Sequence, residues 1–152
     1  NDAARLARSG APVKQIVTGT VCHLDASMIT RALADWSLES IDILFIENVG
    51  NLVCPSSFDL GEDLRIVLVS TTEGEDKPLK YPTIFNTADL AIVTKIDLAE
   101  AVGFDRDAII QNIHSVRPQM PIIEISARIG LRMDELISRI AIRSKQVSFS
   151  AS

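Results

Sequence analysis

Apolar residues in this chain fall into short continuous runs and into stretches of helical spacing, and the two kinds alternate. Residues 41–46 (Ile-Asp-Ile-Leu-Phe-Ile) leave only Asp42 polar, the pattern of a strand covered on both faces of a parallel sheet. Residues 64–70, 90–93 and 122–125 read as further strands, and residues 13–17 alternate like a short strand ending at Thr18-Gly19-Thr20. Between these runs, Leu24, Met28, Ile29, Ala32, Leu33 and Trp36 predict an amphipathic helix over 24–36. A helix over 105–116 starts at Asp105 as N-cap and stops before Pro118. Met133, Leu136, Ile137 and Ile140 predict a last helix over 131–143. Arg5, Leu6 and Arg8 fit a helix end stopped by Gly10-Ala11-Pro12, and Pro78 and Pro82 bracket a short helix or loop.

Strands alternating with helices imply crossover units, hence an α/β fold: a mostly parallel sheet with flanking helices. The expected organisation is one domain over 1–143 followed by a polar tail over 144–152.

Composition narrows the function. With 152 residues, 47% of them hydrophobic, the chain can bury one sizeable core. A net charge of −5 argues against a nucleic-acid partner held through its phosphates. No apolar run reaches the roughly 18–20 residues of a membrane span, so no membrane partner is expected. The start lacks both an apolar signal core and an initiator Met, which points to a cytoplasmic fragment or processed product. In that compartment the two cysteines are expected to stay reduced.

Three strand ends carry related chemistry. Thr94-Lys95-Ile96-Asp97 follows one strand: the Asp97 carboxylate can accept from N1–H and the 2-amino group of guanine, and the Lys95 stem can lie across the base. Ser126-Ala127-Arg128 follows another, where a backbone N–H can donate to guanine O6. Glu47-Asn48-Val49-Gly50 follows the run 41–46; Glu47 would sit near a bound Mg2+ or its waters, and Gly50 would let a backbone N–H approach a terminal phosphate. Each string alone also reads as a solvated loop. Their order along the chain, each after an apolar strand, is what points to a guanine-nucleotide fold.

Cys22 and His23 stand at a helix start, and Cys54 follows the 41–46 run by a short turn. If adjacent strand ends converge at one edge, these groups could meet, and thiolate with imidazole suits Zn2+ or Ni2+. Read alone, two isolated cysteines are more often small buried hydrophobes. Asp25 reads as a helix N-cap, with orientation of His23 as the alternative. His114 reads as surface.

The strings ENVGNLVCP (47–55), TEGEDKP (72–78), TKID (94–97) and CHLDA (22–26) together resemble the hydrogenase nickel-incorporation GTPases, accessory protein B of nickel–iron hydrogenase maturation in the SIMIBI class. The resemblance covers about residues 1–143. It differs from the sister urease accessory GTPases, which place a His after Cys-Pro where this chain has Cys54-Pro55-Ser56. It implies a P-loop GTPase-like fold, GTP/GDP with Mg2+, and Ni2+ or Zn2+ held by Cys22, His23 and Cys54. It also implies Lys77 on the nucleotide or dimer side, a homodimer, a companion nickel-binding accessory protein and the hydrogenase large-subunit precursor as partners.

The family's P-loop, G-x-x-x-x-G-K-[ST], does not occur in the sequence, so the domain is expected to open after its first strand and phosphate loop, with phosphate binding crippled and no hydrolysis expected from this chain alone. Two rival readings follow: a non-enzymatic metal-binding chaperone module, and a GTPase-fold regulator with structural cysteines.

Overall fold

The computed structural model describes residues 2–150. The chain divides into two compact units, Asn1–Gly61 and Glu62–Ser152.

In the second unit, three parallel strands form a sheet in the order β1 (Ile66–Ser70), β2 (Leu90–Thr94), β3 (Ile122–Glu124). Register pairs Ile66 with Leu90 and Ile92 with Ile123. Successive side chains alternate faces. One face therefore carries Leu90, Ile92, Ile123 and Ile125, packed with Ile66 and with Met133 and Leu136 of a C-terminal helix. The opposite face carries Val67, Val69, Ala91 and Val93, all buried. Burial on both sides is why β2 is an unbroken apolar run rather than an alternating one.

Two short helices, Lys77–Lys80 (α3 in chain order) and Pro82–Thr87 (α4), each begin with a proline in the first turn, where its missing N–H costs nothing. The longer Arg106–Val116 (α5) packs against both. Asp105 caps it as the sequence predicts, accepting from the Ala108 N–H at 3.0 Å. Ile109 and Ile113 of α5, Phe85 of α4 and Ala88, the C-cap of α4, are fully buried. The last helix, α6 (Met133–Ser150), runs past Arg143, where the sequence reading begins a frayed tail. Residues 151–152 of that predicted tail lie outside the described residues.

Among the residues of this unit whose burial is described, Glu124 is the buried charge. Arg106 grips both its oxygens, with Nε–Oε1 at 2.8 Å and Nη2 on Oε2, and Arg132 Nη1 lies 3.8 Å away. The Glu124 carboxylate in turn raises the Arg106 guanidinium above its ordinary value, by hydrogen bonding first and charge second. Glu124→Ala is expected to destabilise the fold by about 2 kcal/mol, the range for charge-assisted bonds. A urea midpoint unchanged from wild type would contradict this.

The first unit is held differently. It contains α1 (Asp2–Leu6) and α2 (Ala26–Leu33); a left-handed Gly10, with φ of 80°, ends the turn that follows α1. Two predicted strands do not form. Residues 13–17 and 41–46 form no strand, and neither belongs to the sheet. Val17 and Phe45 are 83% and 72% exposed, with Ile43 and Leu44 also exposed. The apolar pattern is that of a strand, yet a strand is stable only when its N–H and C=O groups find a ladder, and no strand among the described residues pairs with either run. The predicted helix over 24–36 shortens to α2 because Asp25 caps it, accepting from Met28 N at 2.9 Å. Among the described residues no helix is long and apolar enough to cross a membrane.

Candidate metal and guanine-nucleotide sites

The two cysteines meet. Cys22 Sγ lies 2.6 Å from Cys54 Sγ, both as free thiols within the first unit. The sequence reading brings them together through converging strand ends. Instead they converge through side-chain amides in the loops. Asn51 Nδ2 donates to the Cys22 carbonyl at 3.0 Å, and Asn51 Oδ1 accepts from Val53 N at 3.0 Å and Cys54 N at 2.9 Å. Asn48 Oδ1 accepts from Leu24 N at 3.1 Å and from Val49 N at 2.8 Å. Each asparagine thus spans the CHLDA segment and the turn carrying Cys54.

The Cys54 thiol is pushed up from its ordinary value, first by its hydrogen bond with Cys22, then by loss of hydration and by charge on that neighbour. A cation between the sulfurs would reverse that penalty, because it favours the thiolate form of both. The donor pair therefore suits a soft or borderline divalent ion.

His23 does not join the sulfurs. Its ring stacks on Phe58, centroids 3.7 Å apart and planes 8° from parallel. Among the described residues no group of three His, Cys, Asp or Glu side chains is assembled for a metal. Asp25 serves as the cap of α2, held below the usual carboxylate range by Ser27, then by the Met28 N–H.

Glu47 and Gly50 lie in the same loop region, both outside any strand and both exposed. Gly50 has ordinary backbone angles, and a Cβ there would meet open space.

In the second unit the strand ends gather on one rim. Thr94 ends β2 and Ser126 lies two residues beyond β3; a backbone bond from Ile96 N to Ile125 O, 3.1 Å, ties the loops together. Lys95, Ala127 and Arg128 are exposed there, and Asp97 lies in the same loop. Lys95 is left-handed at φ of 59°, a costly conformation for a residue with a side chain, and its carbonyl is held at 2.9 Å by Thr71 Oγ1. Thr94 Oγ1 reaches Val69 O only at 3.4 Å, so the stronger brace comes from Thr71, which the sequence reading did not single out.

Ser126 is completely buried, and its hydroxyl is the one buried side-chain polar atom among the described residues without a partner. Buried polar groups are normally paired, so an orphan at this rim marks an unfinished site.

The TEGEDKP loop follows β1 onto the same rim. Gly74, at φ of 91°, makes its turn, where a side chain would be strained. Glu75 fastens it to α5, accepting from Asp105 N and, through its carbonyl, from Asn112 Nδ2, each at 2.8 Å. Lys77 lies over the Tyr81 ring, Nζ 5.6 Å from the centroid.

A model of the CobW/HypB/UreG nucleotide-binding domain matches residues 1–124. Hydrogenase maturation factor HypB of Escherichia coli K12 is 50% identical over 138 residues, which cover 91% of this chain and 48% of that protein. The probable hydrogenase maturation factor HypB of Methanocaldococcus jannaschii is 44% identical over 146 residues, covering 96% and 66%. Among solved structures, HypB from Helicobacter pylori in complex with nickel superposes with a TM-score of 0.90 at 42% identity, covering 95% of this chain and 69% of that one. HypB from Archaeoglobus fulgidus gives 0.84 at 44% identity, covering 91% and 68%. The chain spans about half the length of the E. coli relative.

Proposed function

Because the chain belongs to the CobW/HypB/UreG nucleotide-binding family, we propose that it is the metal-carrying and guanine-reading part of a hydrogenase maturation factor. The observation that carries this reading is the contact between the free thiols of Cys22 and Cys54, a ready pair for nickel as cargo or for zinc. Support comes from the likeness to a HypB crystallised with nickel.

His23 completes the ligand set by turning away from Phe58. That stacking is worth about 0.5–1.5 kcal/mol. Four-ligand zinc-finger sites yield about 10–16 kcal/mol in all, so even one ligand's share of that exceeds the stacking it replaces. A water or a group from a second chain fills the fourth position, which fits a homodimer sharing cargo.

Asp97 and Lys95 read guanine, with Ser126, Ala127 and Arg128 at O6. Glu47 and Gly50 serve the Mg2+ and terminal-phosphate side, and Lys77 flanks the nucleotide or the dimer contact. When bound, the nucleotide and its Mg2+ supply the phosphoryl chemistry. No residues of this chain form a P-loop, so GTP hydrolysis and its coupling to metal transfer belong to the complete protein. The companion nickel-binding accessory protein and the hydrogenase large-subunit precursor, in the cytoplasm, are the proposed partners.

Nickel titration of the reduced chain tests the reading. Thiolate-to-nickel charge-transfer absorption should grow and saturate at one ion per chain or per two chains. An absent band with full thiol titre would refute it.

A further inference from the structure

We propose that Asn51 is the positioning residue of the thiol pair, setting the separation of the two sulfurs before any metal arrives. The proposal rests on the metal reading for its purpose, but not for its geometry. Asn51 uses both ends of its amide across the site. The donor end takes the Cys22 carbonyl at 3.0 Å, and the acceptor end takes the Cys54 N–H at 2.9 Å and the Val53 N–H at 3.0 Å. One planar group therefore fixes the backbone of one cysteine to the backbone of the other, 32 residues apart in sequence.

No strand or helix does this work in the region. Cys22 lies in a loop before α2, and Cys54 opens a short turn, Cys54–Ser57, with no side-chain cap. Asn48 joins the same two segments at Leu24, so it steadies the joint without holding either cysteine. A turn-capping role needs only an acceptor, and Asp or Ser would supply it. The link to Cys22 needs in addition a donor that reaches its carbonyl: the amide nitrogen provides it, an ionised Asp has no donor, and a Ser hydroxyl is too short to bridge both segments.

That difference gives the test. Asn51→Asp keeps the acceptor for Cys54 and Val53 but sets an oxygen against the Cys22 carbonyl. Asn51→Ser keeps a shorter acceptor and has no group that reaches Cys22. Phenylarsine oxide condenses with two neighbouring thiols, releasing one water as two As–S bonds replace As=O and the S–H bonds. Its capture rate therefore reads thiol separation without any metal.

With the reduced full chain, Asn51→Asp should slow capture about fivefold and weaken nickel binding by a similar factor, the size of one net hydrogen bond. The nickel charge-transfer band should also shift as the sulfurs splay. Asn51→Ser should repeat the slowing, and it decides the matter if the Asp variant fails to fold. Capture within about twofold of wild type in the folded variant, with only the melting temperature lowered, makes Asn51 a plain turn cap and overturns the proposal. A wild-type chain that captures the arsenical but ignores nickel overturns the metal reading, while the arsenical rates still judge Asn51.

Discussion

Cys22→Ala and Cys54→Ala should each lower nickel affinity by at least about a hundredfold, measured by competition with a chelator of known affinity. Loss of a mere outer-shell partner at a metal site costs about 10–100-fold, and loss of a thiolate ligand removes more than that. The two sulfurs are already in contact, so the folded loops have met the cost of bringing them together, and a single substitution forfeits that advantage. His23→Ala should cost less, about tenfold, because its ring starts on Phe58 and must give up that stacking to bind. Nickel binding unchanged in both cysteine variants would support structural cysteines in a GTPase-fold regulator instead.

The two sites stand on different kinds of support. The rim proposed to read guanine grows from adjacent strands whose backbone bonds and buried Val, Ile and Leu side chains fix each loop at its root. The thiol pair hangs on amide bonds between loops, with Leu24 and Ile29 the buried aliphatic side chains of its unit. Segments with few buried apolar contacts open at lower free energy. Loose mounting would suit the proposed role of taking up and surrendering a metal, while the proposed base recognition would need fixed donors and acceptors.

The sheet was legible because a strand buried on both faces writes itself as a continuous apolar run; Leu90 to Val93 is the clearest case. Asp105 was legible as a cap because its carboxylate satisfies an N–H that the helix leaves open. The same logic failed at 13–17 and 41–46, since hydrophobic pattern reports what a segment could bury and not whether a ladder partner lies beside it. The meeting of Cys22 and Cys54 was expected from converging strand ends and from the family resemblance, but the loops bring it about and not the strands. The residues that bring it about, Asn48 and Asn51, were passed over, although asparagines flanking a glycine are a known signal for side chains that bond nearby backbone. Phe58 left no such trace, because an aromatic ring in a loop looks the same whether or not it stacks on a histidine.

Phe85→Ala should be the most damaging single substitution in the second unit. Phe85 is 0% exposed on α4, whose six residues are too few to be helical on their own. The helix persists because this ring is buried, and Ala88, fully buried as its C-cap, hands the chain to β2. Truncation removes the ring's transfer free energy and leaves a cavity that close-packed neighbours fill only in part, about 3–5 kcal/mol together. Against the roughly 5–15 kcal/mol typical of a whole domain, that is a large fraction, and the melting temperature should fall on the order of 15 °C. Phe85→Leu, which keeps most of the volume, should cost under half as much if cavity formation is the cause. The damage should also reach the rim, since α4 sets the entry of the strand that ends at Thr94-Lys95-Ile96-Asp97. A melting shift below about 5 °C for the alanine variant, or equal shifts for alanine and leucine, would show that this side chain does not anchor the strand.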